Sequence, residues 1–286
     1  MATRLIFGCG YLGRRVAKRW LADRDRVVAV TRSAKTAQSF AADGLEPLVA
    51  DVTKPETLAD LPAADTLLFA VGYDRSADAS IHEVYTEGFA NVLAALPPET
   101  GRVVYISTTG VYGDADGDWI DEQTPPAPSR DGGKASLAAE QVLAASAWKD
   151  RSTALRLAGI YGPDRLPYLA KIKAGEPLAA SPDGCLNLIH VDDAATATQA
   201  AADANSAPPV VCVSDGQPPL RADYYAEVAR LLDAPEPTFI DPLPGSPRAA
   251  RAAASKRVRN ALLTDRLGVR LAYPSYREGL AAIVSG

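Results

Sequence analysis

The sequence predicts an α/β fold built on a doubly wound parallel sheet, with a smaller, loop-rich C-terminal lobe. Two observations carry this. Short runs of Val, Leu and Ile alternate with segments of helical spacing, the pattern of parallel strands covered on both faces. At the first strand-to-helix junction stands Gly8-Cys9-Gly10-Tyr11-Leu12-Gly13, a G-x-G-x-x-G run.

Each element has its own signal. Residues 5–7 read as a buried strand, and Leu12, Val16 and Trp20 open a helical stripe. Residues 27–30, 47–50, 66–71, 102–107, 153–157 and 210–214 read as the later strands. Residues 81–96 and 134–147 carry helical spacing between them. After Gly162 the texture changes, with prolines at 163, 167, 177 and 182 and again from 218 to 247. This divides the chain into a sheet domain, 1–162 with 187–215, and a lobe, 163–186 with 216–286. Open α/β sheets bind ligands beyond the carboxyl ends of their strands, so the lobe is expected to close over that crevice and supply substrate contacts.

Composition removes several classes of function. With 286 residues and 47% apolar content, a sizeable core is available, and 23% charged residues is ordinary for a folded domain. A net charge of -5 gives no support to nucleic acid or an anionic membrane as the main partner. Cys9, Cys185 and Cys212 lie far apart without a C-x-x-C pair, so neither a disulfide framework nor a zinc site is expected. His82 and His190 lack metal-ligand spacing, and there is no G-x-S-x-G elbow of a serine hydrolase. Asp114, Asp116, Asp118, Asp121 and Glu122 read as a hydrated loop without a calcium-binding pattern. No signal peptide is seen and no apolar run is long enough to cross a membrane, so a cytoplasmic protein is expected.

The glycine run fits a Rossmann dinucleotide site. Gly8 permits the tight turn, Gly10 lets the backbone approach a pyrophosphate, and Gly13 lets helix and sheet pack closely. N–H groups around Tyr11 and Leu12 would then face the phosphates. The bland alternative is a tight strand-to-helix turn. An NAD site usually carries Asp or Glu about 20 residues after the glycines. Here the second strand ends Thr31-Arg32-Ser33, with no acid. Arg32 would pair with a 2′-phosphate, helped by Thr31 or Ser33, which favours NADP over NAD; alternatively it is a solvated loop cation. Asp51-Val52 suits an adenine contact or a helix N-cap. Ala70-Val71-Gly72 would let the cofactor pass close to the backbone.

Further segments complete a family pattern. Ser107-Thr108-Thr109-Gly110-Val111-Tyr112-Gly113 follows the fifth strand. Leu155-Arg156 leads to Tyr161-Gly162-Pro163, and Ile189-His190-Val191-Asp192-Asp193 follows. Lys256-Arg257-Val258-Arg259-Asn260 precedes Tyr273-Pro274-Ser275-Tyr276-Arg277-Glu278-Gly279. With the glycine loop, these resemble the extended short-chain dehydrogenase/reductase superfamily, of NAD-dependent epimerase/dehydratase type. The nearest branch is the nucleoside-diphosphate-sugar epimerase-like one. The resemblance implies a nicotinamide cofactor, hydride transfer, and a small carbonyl compound or sugar nucleotide as substrate. In relatives, helices often pair across a dimer, and residues 81–96 would do so in a homodimer here.

At the catalytic centre the chain departs from the family. The family uses Ser/Thr together with Tyr-x-x-x-Lys on one helix face. Thr108 matches the Ser/Thr position. Taking Glu140 as the glutamate that follows the lysine puts Ser136 at the lysine position and Gly132 at the tyrosine position; residues 129–136 contain no tyrosine. Two substitutes are open. Lys134 would contact the nicotinamide ribose, or it is a surface residue; Tyr112 would donate the proton, or it packs over the sheet edge. The basic stretch Arg248, Arg251, Lys256, Arg257 and Arg259 would bind a phosphorylated substrate or form a solvated helix face. Two functions follow: an NADP-preferring oxidoreductase or epimerase-like enzyme with a non-standard proton donor, and a non-catalytic NADP(H)-binding redox sensor.

Overall fold

The computed structural model describes residues 1–246, 249 and 254–285. Its strands in chain order are β1 (Thr3–Phe7), β2 (Arg26–Thr31), β3 (Glu46–Val49), β4 (Thr66–Phe69), β5 (Arg102–Thr108), β6 (Trp119–Ile120), β7 (Ser152–Leu157), β8 (Gly159–Tyr161), β9 (Leu178–Ala179), β10 (Leu188–His190), β11 (Val210–Val213), β12 (Phe239–Ile240) and β13 (Arg257–Val258). The helices are α1 (Gly13–Ala22), α2 (Ala34–Ala42), α3 (Gly88–Ala95), α4 (Asp131–Ala145), α5 (Leu169–Lys173), α6 (Val191–Asp203), α7 (Arg221–Leu231), α8 (Ala261–Asp265) and α9 (Tyr276–Ser285).

The main sheet has seven parallel strands in the order β11-β7-β5-β4-β1-β2-β3. The chain runs outward from β1 through β2 to β3, then crosses back to β4 on the other side of β1. That reversal leaves a crevice beyond the carboxyl ends of β1 and β4, where a doubly wound fold binds its ligand. The α/β fold class predicted from the sequence is the one observed.

Strand alternation builds two apolar layers. Ile6, Ala29, Leu68, Val104 and Leu155 face a layer shared with Val16 and Trp20 of α1 and Ala194 and Ala201 of α6. Leu5, Phe7, Val28, Phe69, Val103 and Tyr105 face the opposite layer, with Phe89 and Val92 of α3 and Ala139 and Leu143 of α4. Period-two side-chain direction thus commits the central strands β1, β2, β4 and β5 to both layers. Phe89 sits between Phe69 and Tyr105, with ring centroids 4.5 and 4.9 Å away. Each such fully buried ring contributes roughly 1.5–3 kcal/mol.

Most predicted strands lie within a residue or two of their observed bounds. The fourth is shorter than expected and ends at Phe69, because the chain must leave the sheet to pass the glycine loop. The expected helix over 134–147 begins earlier, at Asp131. Helical backbone covers 81–95, but Glu83–Glu87 widens into a π-helix. Of the stretch 187–215, β11 joins the main sheet and α6 packs on α1, whereas β10 pairs with β8 outside it. A separate apolar cluster joins Tyr161 of β8 to Ile172, Leu178, Tyr224, Tyr225, Tyr276 and Leu280.

Candidate functional site

The glycine loop is built by close approach of backbones. Gly8 has φ +88°, and a Cβ there would collide with the Ala70 carbonyl and the Val71 nitrogen. A Cβ on Gly13 would collide with the Gly8 carbonyl. These two glycines therefore hold the loop, α1 and the end of β4 together. Gly10 and Gly72 differ: a Cβ at either would meet no atom within 4 Å. Small residues thus leave open room at the two places where a dinucleotide would pass over the loop and the end of β4, which fits the group. Gly10 donates to the Gly8 carbonyl at 2.8 Å and accepts from the Arg14 N–H at 2.9 Å. The N–H groups of Tyr11 and Leu12 take no backbone acceptor among the described residues and stand at the positive end of α1.

Tyr11 ties the loop to the turn after β8. Its hydroxyl donates to the Pro163 carbonyl at 2.8 Å, and the Arg15 and Arg165 guanidinium groups lie 4.3 and 5.1 Å from its ring. Leu12 is buried in the core beneath.

At the end of β2, hydroxyls fix the turn. Thr31 Oγ1 accepts the Ser33 N–H at 3.2 Å, and Ser33 N-caps α2 by accepting the Thr36 N–H at 3.3 Å. Arg32 between them is half-exposed. Its guanidinium lies 3.8 Å from Asp74, in the loop after β4. Asp51 Oδ1 accepts the N–H and hydroxyl of Thr53, at 3.0 and 2.8 Å, so this carboxylate braces its own turn. Val52 is buried, and its carbonyl accepts from Asn91 at 2.9 Å.

Thr108 ends β5. Its hydroxyl accepts the Gly110 N–H at 3.0 Å and caps the turn Thr109–Val111. Lys134 is exposed in the first turn of α4. Tyr112 turns inward instead: it is 3% exposed, with Arg156 donating to its hydroxyl at 2.6 Å and the Cys212 thiol 3.3 Å away. Burial pushes the phenol well above its ordinary range. The structure therefore brings Thr108 and the glycine loop to the same sheet edge but engages the Tyr112 hydroxyl in a buried cluster. Ser136 is buried against the Tyr105 hydroxyl. Gly132 is half-buried and faces the tip of Ile81.

Under this edge lies an ionic cluster. Ser107, Arg156 and Cys212 are lateral neighbours on β5, β7 and β11. Glu140 of α4 accepts from the Ser107 hydroxyl and takes Arg156 in a two-pronged pair. The sequence marks Glu140 for register and Arg156 for its strand, but not their contact. Alternation would have signalled it, since a lone Arg among apolar residues of a central strand must point into one layer and find a carboxylate there. Asp74 and Arg130 carried no signal of their own. The Arg130 guanidinium reaches within 3.6 Å of where a Gly110 Cβ would stand, beside Thr108.

Other sequence candidates serve structure. His190 N-caps α6, accepting the Asp192 N–H at 3.3 Å, and burial lowers its pKa. Tyr161 is buried, and Asp193 accepts the Ala272 and Tyr273 N–H groups. In the basic stretch, Arg248 and Arg251 lie outside the described residues. Lys256 is buried and donates to the Tyr112 and Gly113 carbonyls, Arg257 donates to the Gly117 carbonyl, and Arg259 lies over Trp119. These three flank or form a strand rather than a solvated helix face. Among the described residues no His, Cys, Asp and Glu cluster could hold a metal ion, and no helix is long and apolar enough to cross a membrane.

Comparison with known proteins agrees with this geometry. The model of the NAD dependent epimerase/dehydratase family matches residues 5–213. The chain is 26% identical over 278 residues to protein YeeZ of Escherichia coli strain K12, covering 94% of this chain and 95% of that one. A conserved protein of unknown function from Silicibacter pomeroyi has a TM-score of 0.81 at 32% identity, over 100% of this chain and 99% of that one. The human epimerase family protein SDR39U1, solved with NADPH, has a TM-score of 0.83 at 17% identity over the full length of both chains, a shared fold. With a glycine loop at the switch point and a family match across residues 5–213, the chain belongs to the NAD dependent epimerase/dehydratase family.

Proposed function

We propose that this protein binds NADP(H) in preference to NAD(H) and uses it as an oxidoreductase or epimerase-like enzyme on a small carbonyl compound or sugar nucleotide. The observation that carries the reading is the end of β2, where Arg32 stands between two hydroxyl-braced residues with no acid in the turn. A guanidinium there suits a 2′-phosphate and gives a ribose 2′-hydroxyl no acceptor. Solved neighbours of the same fold hold NADPH in one case and NAD in others, which supports a nicotinamide cofactor and leaves the choice between the two to Arg32.

In this reading, Gly8, Gly10 and Gly13 hold the loop to which the pyrophosphate binds, with the Tyr11 and Leu12 N–H groups facing it. Ala70, Val71 and Gly72 line its path, and Asp51 and Val52 border the adenine. Bound nicotinamide supplies or accepts a hydride. Thr108 orients the substrate oxygen, and the exposed Lys134 reaches the nicotinamide ribose. With its hydroxyl already engaged by Arg156, Tyr112 is the weakest of the sequence candidates. The proton donor is then a group other than the family's tyrosine. The unpaired, buried cysteines suit a cytoplasmic setting.

A second reading, a non-catalytic NADP(H) sensor, is favoured by one observation: residues 129–136 contain no tyrosine, and counting back from Glu140 puts Gly132 and the buried Ser136 where the family carries Tyr and Lys. Nicotinamide absorbance followed across a panel of carbonyl compounds and sugar nucleotides separates the two. Turnover that Thr108→Ala abolishes while binding persists supports the enzyme; tight cofactor binding without turnover across the panel supports the sensor.

A further inference from the structure

The pairing of Arg32 with Asp74 has a consequence for cofactor choice. Arg32 directly follows β2 and Asp74 lies in the loop after β4, so the pair spans the edge of the crevice on both sides of β1. Both side chains are about half-exposed, with Nη2 of one 3.8 Å from Oδ2 of the other. Asp74 is not loosely held. Its Oδ1 accepts the Ser76 N–H at 2.9 Å and the Ser76 hydroxyl at 2.7 Å, which leaves Oδ2 for the guanidinium. The Arg32 backbone is fixed too, by the Thr31–Ser33 and Ser33–Thr36 contacts.

We propose that Asp74 is a specificity-determining residue that opposes the 2′-phosphate: a carboxylate latch on Arg32 which NADP(H) must open and NAD(H) need not. The inference rests on the reading of Arg32 as the 2′-phosphate cation. A phosphate arriving at Arg32 competes with a carboxylate already at that guanidinium, and both anions then share one cation. A cofactor ending in a 2′-hydroxyl brings no charge and leaves the pair intact. A repulsive element of this kind sets specificity as effectively as an attractive one. Because the pair is exposed, its effect is modest and screened by salt. The latch therefore narrows the NADP preference that Arg32 creates and makes it sensitive to ionic strength.

The test is calorimetric titration of wild type and Asp74→Asn with NADPH and NADH, at low and high salt. Asparagine keeps an Oδ1 acceptor for Ser76 and puts a neutral amide nitrogen in place of the charged Oδ2. The expected result is NADPH binding tightened about three- to tenfold at low salt, less at high salt, with NADH affinity unchanged. Unchanged NADPH affinity in the variant, where wild type binds NADPH more tightly than NADH, overturns the latch alone; wild type that binds NADPH no more tightly than NADH overturns the reading of Arg32 with it. NADH binding weakened by the substitution also overturns it, since Asp74 would then be accepting from a ribose hydroxyl. Wild type that binds neither dinucleotide overturns the cofactor reading and the latch together.

Discussion

Arg156 and Glu140 form a buried two-pronged ion pair, with Nη2 2.6 Å from Oε2 and Nε 3.0 Å from Oε1. Their side chains are 6% and 7% exposed. Burial alone would lower the arginine's pKa, but the hydrogen bonds and charge of Glu140 outweigh it and raise the value. The pair joins β7 to α4 beneath Thr108, and it holds the Ser107 and Tyr112 hydroxyls in the same cluster.

Removing one partner strands the other. Glu140→Ala is expected to cost about 3–5 kcal/mol, because Arg156 would remain buried without its carboxylate. Urea denaturation reads this directly, and a loss below about 1 kcal/mol would mean that water or another group already satisfies the arginine.

The glycines of the loop should separate by role. Gly8→Ala meets the Ala70 carbonyl at φ +88° and should destabilise the fold by about 1–3 kcal/mol. Gly10→Ala meets nothing within 4 Å, so stability should stay within about 1 kcal/mol of wild type. The added methyl would nonetheless occupy the space expected for the pyrophosphate, and NADPH affinity should fall by about tenfold or more. Thermal melts with and without NADPH check both; unchanged NADPH affinity in Gly10→Ala would remove the loop from the binding site.

Much of this was legible in the sequence because it is local. Residues 27–30, 102–107 and 153–157 announce strands by composition alone, and the glycine loop announces a switch-point crevice once a strand and a helix flank it. What was not legible is the pairing of groups distant along the chain. Tyr112 carries no local mark that it turns inward, since that depends on Arg156 and Cys212 standing beside it in the folded sheet. The π-helix at Glu83–Glu87 and the two-residue strand Arg257–Val258 are also set by tertiary packing, which overrides the helical periodicity of the first and the basic composition of the second.

Asp215 makes stability depend on pH. Burial raises its pKa to about 7, with the nearby Glu278 and Asp193 adding to the effect, and its Oδ2 has no hydrogen-bond partner among the described residues. An acid whose folded pKa lies above its unfolded value holds its proton more tightly in the fold. Its contribution is complete below about pH 4 and is lost as pH rises through about 7. Asp215→Asn should therefore gain on the order of 1–4 kcal/mol over wild type at pH 8 relative to pH 4. Denaturation curves at the two pH values test this; an unchanged difference between the proteins would refute a protonated Asp215.

Thr108 has a structural duty as well as its proposed catalytic one. Thr108→Ala loses the cap on the Gly110 N–H and should cost about 1 kcal/mol of stability. On the enzyme reading, turnover should fall by about 10²-fold with NADPH affinity retained. Thr108→Ser keeps the hydroxyl and should recover most of both, whereas equal activity in Thr108→Ala would leave this residue with its cap alone.

The most direct test of NADP(H) recognition is calorimetric titration of wild type and Arg32→Ala with NADPH, NADP, NADH and NAD. The expected result is wild-type affinity higher for NADP(H) than for NAD(H), with the difference lost in Arg32→Ala while NAD(H) binding is unchanged. Equal affinity of the two proteins for NADPH, or no binding of any of the four, would contradict it.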